Sequence, residues 1–113
     1  MKTIHLIIGT RPEAIKMVPI FKALYEKKNF NVRLISTGQH RELLHQTLAS
    51  FNLKPFHDLK VMREGQSLSQ LTAGLLVKLE DLYKIEKPDL VLAFHTDLSK
   101  SKGTKSTIKL AKQ

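Results

Sequence analysis

Ile8-Gly9-Thr10-Arg11-Pro12-Glu13-Ala14-Ile15-Lys16 joins two kinds of hydrophobic pattern, and how it is read decides the fold. Before it, the apolar run Ile4-His5-Leu6-Ile7-Ile8 has the character of a short buried strand. After it, Ile15, Val18, Ile20, Phe21, Leu24 and Tyr25 recur at spacings near three and four, predicting a helix from about Pro12 to Glu26. The turn between them suits a small residue, and Gly9 supplies one. Thr10 stands at the N-cap position. Glu13 follows at the capping-box spacing, placed to reach back to the Thr10 N–H. Pro12 fits the first helical turn, where a missing N–H costs little. Backbone N–H groups, the helix dipole, Arg11 and Lys16 converge here, a setting that suits phosphate or another anion. An ordinary strand–helix turn would carry the same glycine and cap, so both readings stand on these residues.

The pattern repeats downstream. Val32, Leu34 and Ile35, closing on Thr37, read as a second strand. Gly38-Gln39-His40 is a second strand-to-helix turn, followed by a helix from about Arg41 to Phe51 that buries Leu43, Leu44, Leu48 and Phe51. Gln39 and His40 are either a polar turn that starts a helix or ligand contacts. In an α/β sheet ligands bind beyond the carboxyl ends of the strands, and both glycine turns open on that edge. His45, inside the helix, reads as a surface residue. Pro55 forces Lys54 out of helical conformation, and His57-Asp58-Leu59-Lys60 is a candidate short strand.

Ser67 and Gln70 have capping-box spacing, and Leu68, Leu71, Leu75, Leu76, Leu79, Leu82 and Tyr83 mark a long amphipathic helix to about Glu86. Arg63, Glu64 and Gln66 lie at its entrance, equally readable as ligand contacts or as solvated loop. Leu90-Val91-Leu92-Ala93-Phe94 is almost wholly apolar, as a parallel strand buried on both faces requires. The alternation βαβαβαβ with right-handed crossovers predicts a doubly wound, parallel, Rossmann-like α/β sheet of strand order 3-2-1-4. The glycines do not form G-x-G-x-x-G, which disfavours an NAD enzyme.

Composition narrows the class further. A length of 113 residues allows one domain with a modest core. Without cysteine, disulfides, thiolate zinc sites and cysteine nucleophiles are excluded. No apolar run approaches a membrane span and the N-terminus lacks a signal-peptide layout, so a cytoplasmic protein with no membrane partner is expected. The net charge of +9 points to an anionic partner, but five lysines in residues 98–113, which contain no acid, leave only +4 for residues 1–97. Residues 1–97 read as the folded domain and residues 98–113 as a flexible basic tail. That tail has no interleaved aromatics, so no specific nucleic-acid partner is expected.

The string GTRPEAIK resembles the N-terminal motif of the non-hydrolysing UDP-N-acetylglucosamine 2-epimerases. Three further stretches agree in order and rough spacing: Thr37-Gly38-Gln39-His40-Arg41-Glu42, Gly65-Gln66-Ser67-Leu68-Ser69-Gln70-Leu71-Thr72 and Lys87-Pro88-Asp89-Leu90-Val91-Leu92. The resemblance covers roughly residues 1–92 and decays beyond them. In the family the last of these strands runs into His-Gly-Asp-Thr, whose aspartate lies in the active site. Here Phe94-His95-Thr96-Asp97-Leu98 has one residue more after Pro88, and Thr96 stands where glycine is expected. Asp97 is either that aspartate after a one-residue bulge or a coincidence.

The resemblance implies the N-terminal half of a glycosyltransferase B-type fold, in which two Rossmann-like domains enclose the active site. It implies a truncated or frameshifted fragment, and a homodimer for the full-length enzyme. A native small protein is the alternative. The implied reaction interconverts UDP-N-acetylglucosamine and UDP-N-acetylmannosamine by eliminating UDP to a glycal and adding it back. By the same resemblance Lys16 and Asp97 are catalytic, and Gly9, Arg11, Gln39, His40 and Gln66 bind substrate. In some bacterial members the cleft also holds a second, activating UDP-N-acetylglucosamine. Neither metal nor organic cofactor is implied. A fragment inactive alone is expected, and a non-catalytic half-domain that binds a phosphate or nucleotide sugar is the alternative.

Overall fold

The structure, a computed structural model, describes residues 1–39 and 41–93. Its elements are β1 (Lys2–Ile8), α1 (Arg11–Glu26), β2 (Phe30–Ser36), α2 (Arg41–Ser50), β3 (His57–Asp58), α3 (Leu68–Ile85) and β4 (Leu90–Ala93). All strand pairs are parallel and the order is β3-β2-β1-β4, as the alternation predicts.

Side-chain parity along β1 and β2 sorts the core into two layers. Ile4, Leu6 and Ile8 of β1 and Val32 and Leu34 of β2 pack against Ala14, Met17 and Val18 of α1 and Leu44 and Leu48 of α2. Ile7 and Ile35 point the other way, onto Leu75, Leu79 and Leu82 of α3, with Leu59 and Val61 closing that layer. Helices therefore cover both faces, the doubly wound arrangement. Asp89 fastens the entry to β4: its carboxylate accepts the Thr3 N–H at 2.8 Å and its own N–H donates to the Thr3 carbonyl at 2.8 Å.

Several local expectations need correction. Leu43 is 47% exposed, because the buried line of α2 runs through Leu44 and Leu48, four apart, and Leu43 lies off it. Phe51 falls just past the helix and is exposed. β4 is half-buried rather than buried on both faces. Among the described residues it pairs only with β1, and Leu90 is 49% exposed. β3 is two residues long because Lys60 adopts φ +53°, which ends regular pairing. α1 contains Pro19, which deprives the Ile15 carbonyl of its donor; both residues are exposed, where water can serve instead. The expectations for His40, for Phe94, for Asp97 and for the tail lie outside the described residues.

Candidate functional site

Beyond the regular strands, a hydrogen-bond ladder continues along the carboxyl edge of the sheet. The Thr37 N–H donates to the Ile8 carbonyl at 2.9 Å and the Val61 N–H to the Thr37 carbonyl at 3.0 Å. The Gln66 Nε2 then donates to the Val61 carbonyl at 3.0 Å. Three separate sequence stretches, around Gly9, Thr37 and Gln66, are thereby aligned on the edge where α/β proteins bind ligands.

Gly9 and Gln39 meet directly. A Cβ on Gly9 would stand 2.8 Å from Thr37 Oγ1 and 2.9 Å from Gln39 Oε1, so the glycine is required by space. Its backbone is not in the left-handed region, which belongs among the described glycines to Gly38 and Gly65. Gly38 is constrained twice: φ is +88°, and a Cβ would lie 2.7 Å from the Lys60 Cα. Asp58 braces the same turn from below. Its Oδ1 accepts the Lys60 N–H at 2.9 Å and its Oδ2 lies 3.1 Å from His45 Nε2. The His45 side chain is 36% exposed, in keeping with a surface position, and its ring faces Asp58.

The α1 N-terminus differs from the expected capping box. Thr10 has N-cap backbone geometry, but its side chain makes no capping hydrogen bond. Its hydroxyl donates to the Glu13 Oε2 at 3.2 Å, a charge-assisted contact. Arg11 opens the helix and is exposed. Lys16 is also exposed, on the side of α1 away from Ala14, Met17 and Val18. At about 100° per residue, Arg11 and Lys16 sit roughly 140° apart around the helix and do not share a face.

Gln66 closes its own loop. Its Oε1 accepts the Arg63 N–H at 3.1 Å while its Nε2 holds Val61, so both ends of the amide are engaged. Beside it opens a depression of about 480 Å³ whose lining includes Lys60, Arg63, Gln66, Gln70 and Lys78. Its cations and amides suit an anionic or polar ligand. His40 and Asp97 cannot be placed in this site, since both lie outside the described residues.

One residue at this edge escaped the sequence reading. Thr37 is 5% exposed and its Oγ1 has no hydrogen-bond partner among the described residues. Its signals were its place at a strand end, directly before Gly38, and its position at the head of the Thr37–Glu42 motif stretch. Among the described residues, no group of three or more His, Cys, Asp or Glu side chains could hold a metal ion. No helix among them is long and apolar enough to cross a membrane.

The comparisons with known proteins agree with one another. The family model described as UDP-N-acetylglucosamine 2-epimerase matches residues 22–98, past Leu92, where the motif resemblance decays. A probable UDP-N-acetylglucosamine 2-epimerase of Ralstonia solanacearum is 42% identical over 104 residues, covering 92% of this chain and 28% of the relative. The UDP-N-acetylglucosamine 2-epimerase of Bacillus subtilis is 44% identical over 86 residues, 76% of this chain and 23% of the relative. Among solved structures, the Neisseria meningitidis UDP-GlcNAc 2-epimerase bound to UDP-GlcNAc superposes with a TM-score of 0.84 at 35% identity, over 98% of this chain and 29% of that one. The Methanocaldococcus jannaschii enzyme in complex with UDP-GlcNAc and UDP gives 0.80 at 29% identity, over 96% and 29%. The chain spans less than a third of the length of these relatives. Motifs, sheet order and matches converge: the chain belongs to the UDP-N-acetylglucosamine 2-epimerase family.

Proposed function

We propose that this chain supplies the N-terminal, diphosphate-facing side of a UDP-N-acetylglucosamine 2-epimerase. The observation that carries the proposal is the direct meeting of the Gly9 and Gln39 turns at the N-terminus of α1. Family membership and the nucleotide-sugar complexes of its structural neighbours support it.

The reaction removes the weakly acidic C2 proton and breaks the C1–O bond to UDP, leaving a glycal. UDP then adds back at C1 as a proton is delivered to the opposite face of C2. Such chemistry needs a base held against C2 and stabilisation of the charge that grows on the departing diphosphate. Arg11 and the α1 dipole are assigned to that charge, with Gly9 and Gln39 shaping the cradle. Lys16 and Asp97 are assigned to the reacting sugar, and His40 and Gln66 to the cleft wall. Gln66 serves by holding its loop in place, given its engaged amide. The proposal carries a cytoplasmic location and a homodimer for the full-length enzyme.

Because the chain spans 28% of a relative such as the Ralstonia protein, it is proposed to bind the nucleotide diphosphate without turnover. The expected affinity of these 113 residues for UDP is millimolar, on the order of −4 kcal/mol, for a stretch that spans 28% of such a relative. Arg11→Ala should weaken it by about 1–2 kcal/mol, the range for a lost charge-assisted hydrogen bond. Saturation-transfer NMR with UDP measures both. Equal affinities for the variant and the unmodified chain would remove Arg11 from the site.

A further inference from the structure

We infer that Thr37 is a ligand-binding residue, its hydroxyl donating a hydrogen bond to a phosphoryl oxygen held at the N-terminus of α1. The inference deepens the proposed function and rests on it. Thr37 is 5% exposed, and both of its backbone groups are satisfied: the N–H donates to Ile8 and the carbonyl accepts from Val61. Only Oγ1 is left without a partner among the described residues. A buried hydroxyl is expensive to leave unpaired, and such an orphan in an otherwise satisfied edge calls for a partner supplied from outside.

The position of that hydroxyl identifies the partner. Oγ1 lies 2.8 Å from the point where a Cβ on Gly9 would be, so it is aimed at the bare side of the turn that opens the 16-residue helix α1. The Thr10 hydroxyl does not compete there, being turned to Glu13. At the same point Gln39 presents Oε1, an acceptor, at 2.9 Å. Thr37 therefore supplies a side-chain donor where the helix dipole favours negative charge, and a phosphoryl oxygen is an acceptor only. Gln39 is the flexible wall of this niche, and rotation of its side chain admits the ligand.

A ligand hydroxyl and a structural hydroxyl respond oppositely to Thr37→Val, which keeps the branched shape and deletes the O–H. The experiment follows amide shifts of the 113-residue chain during titration with UDP and, separately, with inorganic phosphate, alongside thermal melts. Thr37→Val should weaken UDP binding about tenfold, the lower range for a hydrogen bond to a charged group, and leave the melting temperature unchanged or raised. Thr37→Ser should keep the affinity. Phosphate should lose affinity in parallel if a single phosphoryl group suffices; an effect on UDP alone assigns the hydroxyl to the diphosphate. Undiminished UDP and phosphate binding in Thr37→Val overturns the role while leaving the reading of the turn intact. So does a melting temperature several degrees lower in Thr37→Val than in Thr37→Ser. No shift at the turn in the unmodified chain overturns that reading and this role together.

Discussion

His5 and Glu86 are 81 positions apart in the chain, yet His5 Nε2 and Glu86 Oε1 lie 2.8 Å apart in the fold. Arg33, the register partner of His5 on β2, adds Nε at 3.4 Å to the same oxygen and Nη2 at 3.5 Å to the other. Burial pushes the Glu86 carboxyl up, but hydrogen bonds from His5 and Arg33, and their charges, outweigh it and hold the group below its usual 4.5. A lowered carboxyl contributes stability that is present above the unfolded value and lost as pH falls through the folded one. Glu86→Gln should therefore be less stable than the unmodified chain at neutral pH, with the gap closing below about pH 4.5. Paired urea titrations at neutral pH and at about pH 3 check this, and a gap that stays constant would contradict it. Nothing in the apolar run around His5 names its partner. Single residues were legible where a motif surrounds them, as with Gly9. They were not where the partner arrives from a distant segment, as with Gln39 against Gly9 or Asp58 against His45.

Two helix starts with the same sequence spacing behave differently. At α3 the Ser67 hydroxyl accepts the Gln70 N–H at 3.1 Å and Gln70 Oε1 accepts the Ser67 N–H at 2.9 Å, a complete capping box. At α1 the Thr10 side chain caps nothing and binds the Glu13 carboxylate instead. Ser67→Ala should cost about 1 kcal/mol and Thr10→Ala only a few tenths, measured as urea midpoints at a common slope. Equal losses would mean that Thr10 caps after all. Helices and strands were legible because their periodicity is local, and the order β3-β2-β1-β4 followed from crossover handedness. The burial of β4 was not legible. An apolar strand is covered on both faces only if elements beyond it are present, and among the described residues β4 has β1 alone. The shortness of β3 was equally hidden, since it follows from the positive φ of Lys60 packed under Gly38.

For the whole molecule, the sheet brings the Gly9, Thr37 and Gln66 stretches onto one edge through a single ladder of hydrogen bonds. That alignment is what makes a chain covering 28% of a relative such as the Ralstonia epimerase a candidate binding unit rather than an inert piece of fold. The charge of +9 offers a competing account, in which the lysines of residues 98–113 attract any anion without using the edge. The two accounts differ in where a ligand is felt and in how salt acts. Chemical-shift mapping of the 113-residue chain titrated with UDP, repeated at raised salt, separates them most directly. The edge account predicts shifts at the amides between Gly9 and Lys16 and from Thr37 to Gln39, persisting as salt rises. Shifts confined to residues 98–113, or vanishing with salt, would contradict it.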